Sequence, residues 1–308
     1  MKLARFTSCG RTGIGVIRDD RVIPLVDLLP DAPVTMKEVI AGGSELRSRI
    51  GSALARGPTG LSLSTVRLEA PITDPQKYLA IGMNYADHAE EARKGGVTMP
   101  KTQIWFNKQV SCITGPFDAV HYPLVSEKLD YEAELGVVIG RRCRHVSAAD
   151  AAGVIAGYFV ANDVTARDWQ FASPTFTLGK SFDTHGPIGP WIVTSDEIVD
   201  PHALQMRLWV NGELRQNQST SQMIYNIYAQ IEHLSKVMTL EPGDLLATGT
   251  CAGVGIARGP AGLLKVGDVV RVEIEGIGHI ENPIVAEPDP RPPQSRASTA
   301  AAPRGARA

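Results

Sequence analysis

Short apolar segments of strand length dominate the sequence from Tyr78 to about Val285, and few helical stretches separate them. They include YLAIGMNY, YEAELGVVIG, AGYFVANDV and VVRVEIEGIG. A doubly wound parallel sheet needs a helix after nearly every strand, and that alternation is missing here. The sequence therefore predicts a strand-rich α+β fold.

Local patterns add three elements to this prediction. WVNGELR predicts a hairpin with Asn211-Gly212 in the turn, because this dipeptide favours the backbone angles of a tight hairpin. Helices are predicted at SAADAAGVI, with Ser147 as the N-cap, and at SQMIYNIYAQIEHLSKVM.

Composition divides the chain into three parts. Residues 1–72 contain short strand-like runs and one helical stretch broken at Gly42-Gly43, which predicts a small α+β N-terminal domain. Residues 73–287 form the predicted catalytic domain. Residues 288–308 are rich in proline, alanine and arginine, a composition typical of a disordered tail.

Charge and composition narrow the possible partners and location. The net charge of -2 gives the chain no general attraction to nucleic acid or an anionic membrane. The apolar runs are too short to span a bilayer, and the first residues lack the apolar core of a signal peptide. The four cysteines are scattered without a disulfide or metal-site spacing, which fits a reducing compartment. We expect a cytoplasmic protein that acts on a small molecule.

Two acidic side chains stand directly before an apolar run. Glu132 and Glu134 are separated by one residue, so in a strand both carboxylates face the same side. Asp163, at the end of another apolar strand, is the expected third member. Three carboxylates suit Mg²⁺ or Mn²⁺, whereas zinc prefers nitrogen or sulfur. The alternative is a solvated strand face, but the neighbouring LGVVIG is too apolar for an exposed strand.

A candidate general base follows the strand YLAI. His88 and Glu91 are three residues apart and share one face of a predicted helix. A carboxylate raises the basicity of a neighbouring imidazole, so the pair is able to activate water. Judged by spacing alone, an exposed contact on a surface helix is the better explanation of the pair.

Two further segments are candidates for charge stabilisation. Lys180, in a Gly-Pro-rich turn, is suited to neutralising an enolate or carboxylate, although a surface position is the common alternative. Thr250 begins a glycine-rich stretch whose amides are suited to holding an anionic group. A dinucleotide site is not expected there, because the βαβ frame is missing.

Eight ordered motifs resemble the fumarylacetoacetate hydrolase family over about Tyr78 to Val285. They are GMNYADHAEE, SCITGP, DYEAELGVVIG, ANDVTARDWQ, LGKSFDTHGPIGP, VNGELRQ, EPGDLLATGT and GVG. The likeness is to the smaller members, namely the mitochondrial domain-containing protein 2 type and the bacterial 2-hydroxyhepta-2,4-diene-1,7-dioate isomerase type. It implies a mixed β-roll catalytic domain, usually in a homodimer.

The resemblance also implies roles for individual residues. It assigns Mg²⁺ or Mn²⁺ to Glu132, Glu134 and Asp163, and it makes His88 and Glu91 a catalytic pair on a lid, with Lys180 beside the substrate oxyanion. Further positions are implied to bind substrate: Gly82, Arg167, Gln170 and Thr250. The large N-terminal domain of the mammalian tyrosine-catabolic enzyme is missing, so fumarylacetoacetate is not the expected substrate.

The expected reaction is hydrolysis of a carbon–carbon bond in an acylpyruvate-type 1,3-diketo acid. Decarboxylation of an oxaloacetate-like acid and isomerisation of a hydroxymuconate-type diacid in aromatic catabolism remain alternatives, because all three use the same metal, charge sink and base. A binding protein without turnover is a further alternative. The intact carboxylates and the intact His-Glu pair disfavour it.

Overall fold

The computed structural model describes residues 1–94, 96 and 101–289. The predicted disordered tail, residues 288–308, lies outside the described residues from position 290 onward. The helices are α1 (Leu25–Leu28), α2 (Met36–Ala41), α3 (Gly43–Leu54), α4 (Ala86–Lys94), α5 (Arg167–Phe171) and α6 (Ile227–Val237). The strands are β1 (Lys2–Ser8), β2 (Arg11–Arg18), β3 (Arg21–Pro24), β4 (Leu61–Ser62), β5 (Arg67–Glu69), β6 (Tyr78–Gly82), β7 (Ile104–Asn107), β8 (Ile113–Thr114), β9 (Val120–Tyr122), β10 (Leu129–Asp130), β11 (Ala133–Ile139), β12 (Ile155–Asn162), β13 (Thr165–Ala166), β14 (Gly186–Thr194), β15 (Gln205–Val210), β16 (Glu213–Ser219), β17 (Leu245–Ala247), β18 (Val269–Ile274) and β19 (Gly278–Ala286).

Three sheets form in the part of the chain that the structure describes. A twelve-stranded sheet has the order β4-β3-β2-β1-β14-β12-β11-β17-β6-β7, with β5 paired to β1 and β8 to β14. A five-stranded sheet has the order β16-β15-β18-β19-β9, and β10 pairs with β13. Parallel and antiparallel pairs occur in the same large sheet, for example β17 with β6 and β11 with β12. The predicted strand-rich α+β class is confirmed.

Strand β11 lies between two apolar clusters and is buried along its whole length. Leu135 and Val137 belong to a cluster that also contains Leu208 of the five-stranded sheet and Ile231 of α6. Val138, on the opposite face, belongs to a cluster with the N-terminal helices. Burial on both faces explains why LGVVIG is a continuous apolar run rather than an alternating one.

The first residues of the chain continue the large sheet. β1 pairs with β14, with Lys2 opposite Val193, and Leu3 packs in the same cluster as Val138 and Ile192. The helical stretch of this region is broken as predicted. Gly42 lies between α2 and α3, and Gly43, the first residue of α3, has a positive φ of 57°. The domain boundary after residue 72 stays a prediction.

One predicted helix is wrong and one hairpin is confirmed. SAADAAGVI forms only a 3-10 turn, Ala151–Val154, because Ile155 already begins β12 and pairs with β11. The hairpin between β15 and β16 turns at Asn211 and Gly212, whose φ angles of 52° and 80° fit the tight turn that this dipeptide favours.

Two further observations concern the helices and the cysteines of the described residues. None of the helices there combines the length and the apolar run that a membrane crossing requires. All four cysteines are free, and three of them are buried.

Candidate active site

The ends of β11 and β12 bring three carboxylates together. Glu134 lies in β11 and Glu132 directly before it, while Asp163 follows β12. The two strands are antiparallel, and the Asp163 amide donates to the Glu132 carbonyl at 2.9 Å. Each side chain therefore points to the same face, and one oxygen from each lies within 4.8 Å of the others. The sequence prediction that these residues converge agrees with this geometry.

Three buried cations surround the cluster. Lys180 Nζ lies 2.5 Å from a Glu132 oxygen and 2.7 Å from an Asp163 oxygen. Arg167 Nη1 lies 2.7 Å from the other Glu132 oxygen, and Lys108 Nζ lies 2.6 Å from the other Asp163 oxygen. Burial opposes ionisation of Glu132, but Lys180 and Arg167 outweigh it and lower the pKa of this carboxyl to about 2.

Glu134 is the one carboxylate of the cluster that forms no ion pair with a described cation. It accepts one hydrogen bond, from the Gly249 amide at 2.8 Å. Burial, and then the charges of Asp163 and Glu132, raise its pKa well above the usual value. A divalent cation would relieve this repulsion, and an all-oxygen donor set suits Mg²⁺ or Mn²⁺. The residues present therefore fit the predicted metal.

The predicted His-Glu pair forms on α4. His88 Nδ1 lies 3.1 Å from a Glu91 oxygen, and the Gly253 amide donates to the other Glu91 oxygen, also at 3.1 Å. An ionised carboxylate only accepts hydrogen bonds, so Nδ1 is the donor in this contact, and Nε2 is the ring nitrogen left for proton transfer. His88 is 9 % exposed, which argues against the surface contact that spacing alone had favoured.

A single cavity of about 650 Å³ connects these groups. Nine of the ten predicted site residues line it: Gly82, His88, Glu91, Glu132, Glu134, Arg167, Gln170, Lys180 and Thr250. Asp163 is fully buried and is joined to the cavity wall through its bond to Lys180. The individual roles of these residues stay predictions.

Arg167 is held by contacts on three of its sides. Its Nε donates to Asp130 at 2.8 Å, and its Nη1 donates to Gln170 at 2.9 Å as well as to Glu132. Its Nη2 is buried and has no partner among the described residues. A buried guanidinium N–H without an acceptor costs free energy, so Arg167, which lines the cavity, keeps one unsatisfied donor.

Three residues that support the site were not predicted from the sequence. Lys108 binds Asp163, and Asp130 accepts four hydrogen bonds, including one from Arg167. Gln216 donates to the Thr250 hydroxyl at 2.8 Å and accepts from the Ala133 amide. Lys108 comes two residues after the apolar run IWF, and Asp130 lies two residues before Glu132. Both charged residues therefore stand beside sequence features that could have marked them as candidate site residues. No sequence feature marked Gln216, because it is one of several polar residues in the strand β16.

Comparison with known proteins agrees with the predicted family and fold. The family model for the fumarylacetoacetate (FAA) hydrolase C-terminal domain matches residues 77–285. The mitochondrial oxaloacetate tautomerase fahd2 of Xenopus laevis is 44% identical over 291 residues, which cover 92% of this chain and 90% of that protein.

Two solved structures are similar to this chain in fold and sequence. Maleylpyruvate hydrolase from a Sphingobium species, in complex with manganese(II) and pyruvate, is 34% identical with a TM-score of 0.79, covering 94% of this chain and 100% of the other. The 5-carboxymethyl-2-hydroxymuconate delta-isomerase from Mycobacterium smegmatis is also 34% identical, with a TM-score of 0.74 and the same coverage.

Proposed function

This chain belongs to the fumarylacetoacetate hydrolase family, and from that premise we propose that it is a Mg²⁺- or Mn²⁺-dependent hydrolase of acylpyruvate-type 1,3-diketo acids. Its named relatives are enzymes, namely a tautomerase, a hydrolase and an isomerase. The observation that carries the proposal is that the bonded His88–Glu91 pair lines the same cavity as the acidic cluster and Lys180.

Glu132, Glu134 and Asp163 would hold the metal, which when bound supplies Lewis acidity for the keto oxygen next to the substrate carboxylate. The donor set supports this role, and so does the manganese ion in the related maleylpyruvate hydrolase. Arg167 would bind the carboxylate itself, because it lines the cavity next to Glu132 and its guanidinium keeps one donor without a partner among the described residues.

The side chains of this protein account for the proton and charge transfers. His88 Nε2 takes a proton from water, and the hydroxide attacks the acyl carbonyl carbon. The bond between that carbon and the neighbouring CH₂ then breaks, and its electron pair leaves as the enolate of pyruvate. The Lys180 ammonium stabilises the enolate oxygen. The proton held by His88 then passes to the enolate carbon, which gives a carboxylic acid and pyruvate.

A second candidate function is enol–keto tautomerisation or decarboxylation of an oxaloacetate-like acid, or isomerisation of a hydroxymuconate-type diacid. The observation that favours it is the 44% identity to a protein named oxaloacetate tautomerase. In tautomerisation, the same His88–Glu91 pair moves one proton between carbon and oxygen, and no water is activated.

The experiment is to compare acetylpyruvate cleavage, oxaloacetate decarboxylation and oxaloacetate enol–keto conversion in the metal-loaded protein. His88→Ala and Glu91→Gln should lower acetylpyruvate cleavage by roughly 10²–10⁴-fold, the usual contribution of a general base, and spare most of the decarboxylation. Glu90→Gln is the matched control, because Glu90 lies on the same helix but pairs with Arg93.

Two outcomes would contradict the proposal that this protein is a hydrolase. One is rapid enol–keto conversion with no cleavage of any acylpyruvate, which would favour the tautomerase. The other is an equal loss of cleavage and decarboxylation in His88→Ala, which would indicate a proton shuttle in place of water activation.

A further inference from the structure

The wall of the cavity away from the charged residues is apolar. We define the apolar wall as Ile104, Phe106, Phe176, Val254 and Ile256, all of which line the cavity. Phe106 begins it, since its ring centroid lies 5.1 Å from Lys180 Nζ. Phe176 continues it, with its ring 6.1 Å from that of Phe106 in an edge-on contact. A substrate bound at the charged end therefore meets aromatic and aliphatic side chains next.

The backbone keeps this wall in place. Ile104 and Phe106 alternate along β7, so both side chains face the same side, and β7 pairs with β6 along its length. On the other side, the Ile256 amide donates to Asp130 at 2.9 Å, which ties this segment to the residue that also holds Arg167. The wall and the charged end are thus fixed relative to each other.

Cations in the cavity suffice for one carboxylate only. Of the described residues that line it, Arg167 and Lys180 alone carry a permanent positive charge. Lys180 is already paired with Glu132 and Asp163, and Arg167 with Asp130 and Glu132, so neither cation is free for a second carboxylate. In the sequence, positions 95 and 97–100 add no charged side chain. A second carboxylate on the apolar wall would be buried without a cation, which is strongly unfavourable.

We propose that the preferred substrate is a 2-oxo acid with a single carboxylate and an apolar distal group, such as an acylpyruvate with a longer alkyl or an aryl acyl chain. Diacids long enough to place their second carboxylate on the apolar wall would be poor substrates. The volume agrees, because about 650 Å³ lies within the range of pockets that hold drug-sized ligands. The inference rests on the proposed function, since it places the 2-oxo acid end of the substrate at the acidic cluster.

The first test measures binding alone. 2-Oxohexanoate and 2-oxoadipate have the same number of carbons, differ in the terminal carboxylate, and lack the 1,3-diketone that is cleaved. Calorimetry on the Mn²⁺-loaded protein should show 2-oxoadipate binding at least about tenfold more weakly. Equal or tighter binding of 2-oxoadipate would overturn the inference, whether or not the protein is a hydrolase.

The second test measures turnover along a series of acylpyruvates. From acetyl to butanoyl to hexanoyl, kcat/KM should rise by roughly fourfold for each buried methylene, and succinylpyruvate should fall below butanoylpyruvate. A flat or falling series would overturn the inference. If no acylpyruvate is cleaved but 2-oxohexanoate still binds better than 2-oxoadipate, the hydrolase proposal fails and the specificity inference stands.

A variant supplies the missing cation. Ile104→Arg should reverse the preference and favour 2-oxoadipate, whereas Ile104→Met, a swap of similar volume, should keep the preference of the natural protein. Ile104 is half-buried in β7, so thermal unfolding of both variants checks that each is folded. A folded Ile104→Arg protein that still rejects 2-oxoadipate to the same extent would show that the wall does not contact the distal group.

Discussion

At the residue scale, the site depends on a near balance between buried charges of opposite sign. Glu132 and Asp163 each bind two ammonium or guanidinium groups, while Glu134 has an amide hydrogen bond only. Ionising a buried carboxylate without a cation is costly. We therefore expect the site to bind a divalent cation through Glu134 and its two neighbours.

Replacing one of these carboxylates tests this expectation. Glu132→Gln replaces a charged carboxylate ligand by a neutral amide oxygen, so Mn²⁺ affinity should fall by more than the roughly 10–100-fold seen when only a supporting residue is lost. The measurement is a titration of free Mn²⁺ by electron paramagnetic resonance. Glu127→Gln is the control, because Glu127 is exposed on the loop before β10. Unchanged Mn²⁺ affinity in Glu132→Gln would contradict the metal site.

His185 makes a separate prediction about acid stability. The residue is fully buried, and its Nε2 lies 2.9 Å from the His121 carbonyl. Burial is the main reason that its pKa is lowered to about 3, from about 6.5 in an unfolded chain. Between these two values the unfolded chain binds the extra proton, so stability falls as the pH falls, by about 1.4 kcal/mol per pH unit.

His185→Gln keeps a side-chain donor but removes the titrating group. Between pH 7 and pH 5 the natural protein should lose about 2 kcal/mol more unfolding free energy than the variant. Urea unfolding at the two pH values measures this, and the difference between the two proteins cancels the effect of the other titrating groups. Equal losses would show that His185 is not kept neutral by burial.

At the element scale, α4 is held over the cavity by few contacts. Glu91 accepts from the Gly253 amide, and Asp87 accepts from Gln218 Nε2 at 3.0 Å. Asp87 also accepts from the His88 amide at 2.8 Å. Because α4 carries the predicted catalytic pair, loss of its contacts with Gly253 or Gln218 should reduce the time for which that pair faces the acidic cluster.

Gln218→Leu should increase the opening of α4 by roughly fivefold, since a part-buried hydrogen bond contributes about 1 kcal/mol. Hydrogen exchange of the α4 amides measures this opening. Gln222→Leu is the control, because Gln222 is exposed and, among the described residues, its side chain bonds its neighbour Ser221 alone. If exchange in α4 is the same in both variants, the Asp87–Gln218 contact does not hold the helix closed.

At the scale of the whole molecule, the N-terminal residues share a core with the strands that carry the site. Leu3 of β1 is 3% exposed and belongs to the cluster of Val138 and Ile192. Val138 is in β11, four residues after Glu134. Loss of packing at Leu3 should therefore lower the stability of the whole large sheet, including the strands that carry the site.

Leu3→Ala should lower the unfolding free energy by about 2–5 kcal/mol, the usual range for a buried leucine, and unfolding should remain a single transition. Calorimetry measures both. Val26→Ala, at a side chain that is 69% exposed, should have little effect. Two separate transitions, with the second unchanged in Leu3→Ala, would show that residues 1–72 unfold independently. The homodimer and the cytoplasmic location stay predictions.

Local patterns in the sequence were sufficient for part of this molecule. The strand-rich class, the break at Gly42-Gly43 and the Asn211-Gly212 hairpin follow from backbone preferences of a few residues. So does the shared direction of Glu132 and Glu134, because alternate residues of any strand face the same side. These features depend on neighbours along the chain, which the sequence displays directly.

Tertiary structure decided what lies opposite each of those residues. Lys108 and Gln216 reach the acidic pair from segments far from it in the sequence, and spacing alone favoured a surface position for His88. SAADAAGVI has helical periodicity, yet the pairing of β12 with β11 ends it as a single turn. Long-range strand pairing sets which side chains meet and how deeply they are buried, and single-sequence periodicity carries no record of that pairing.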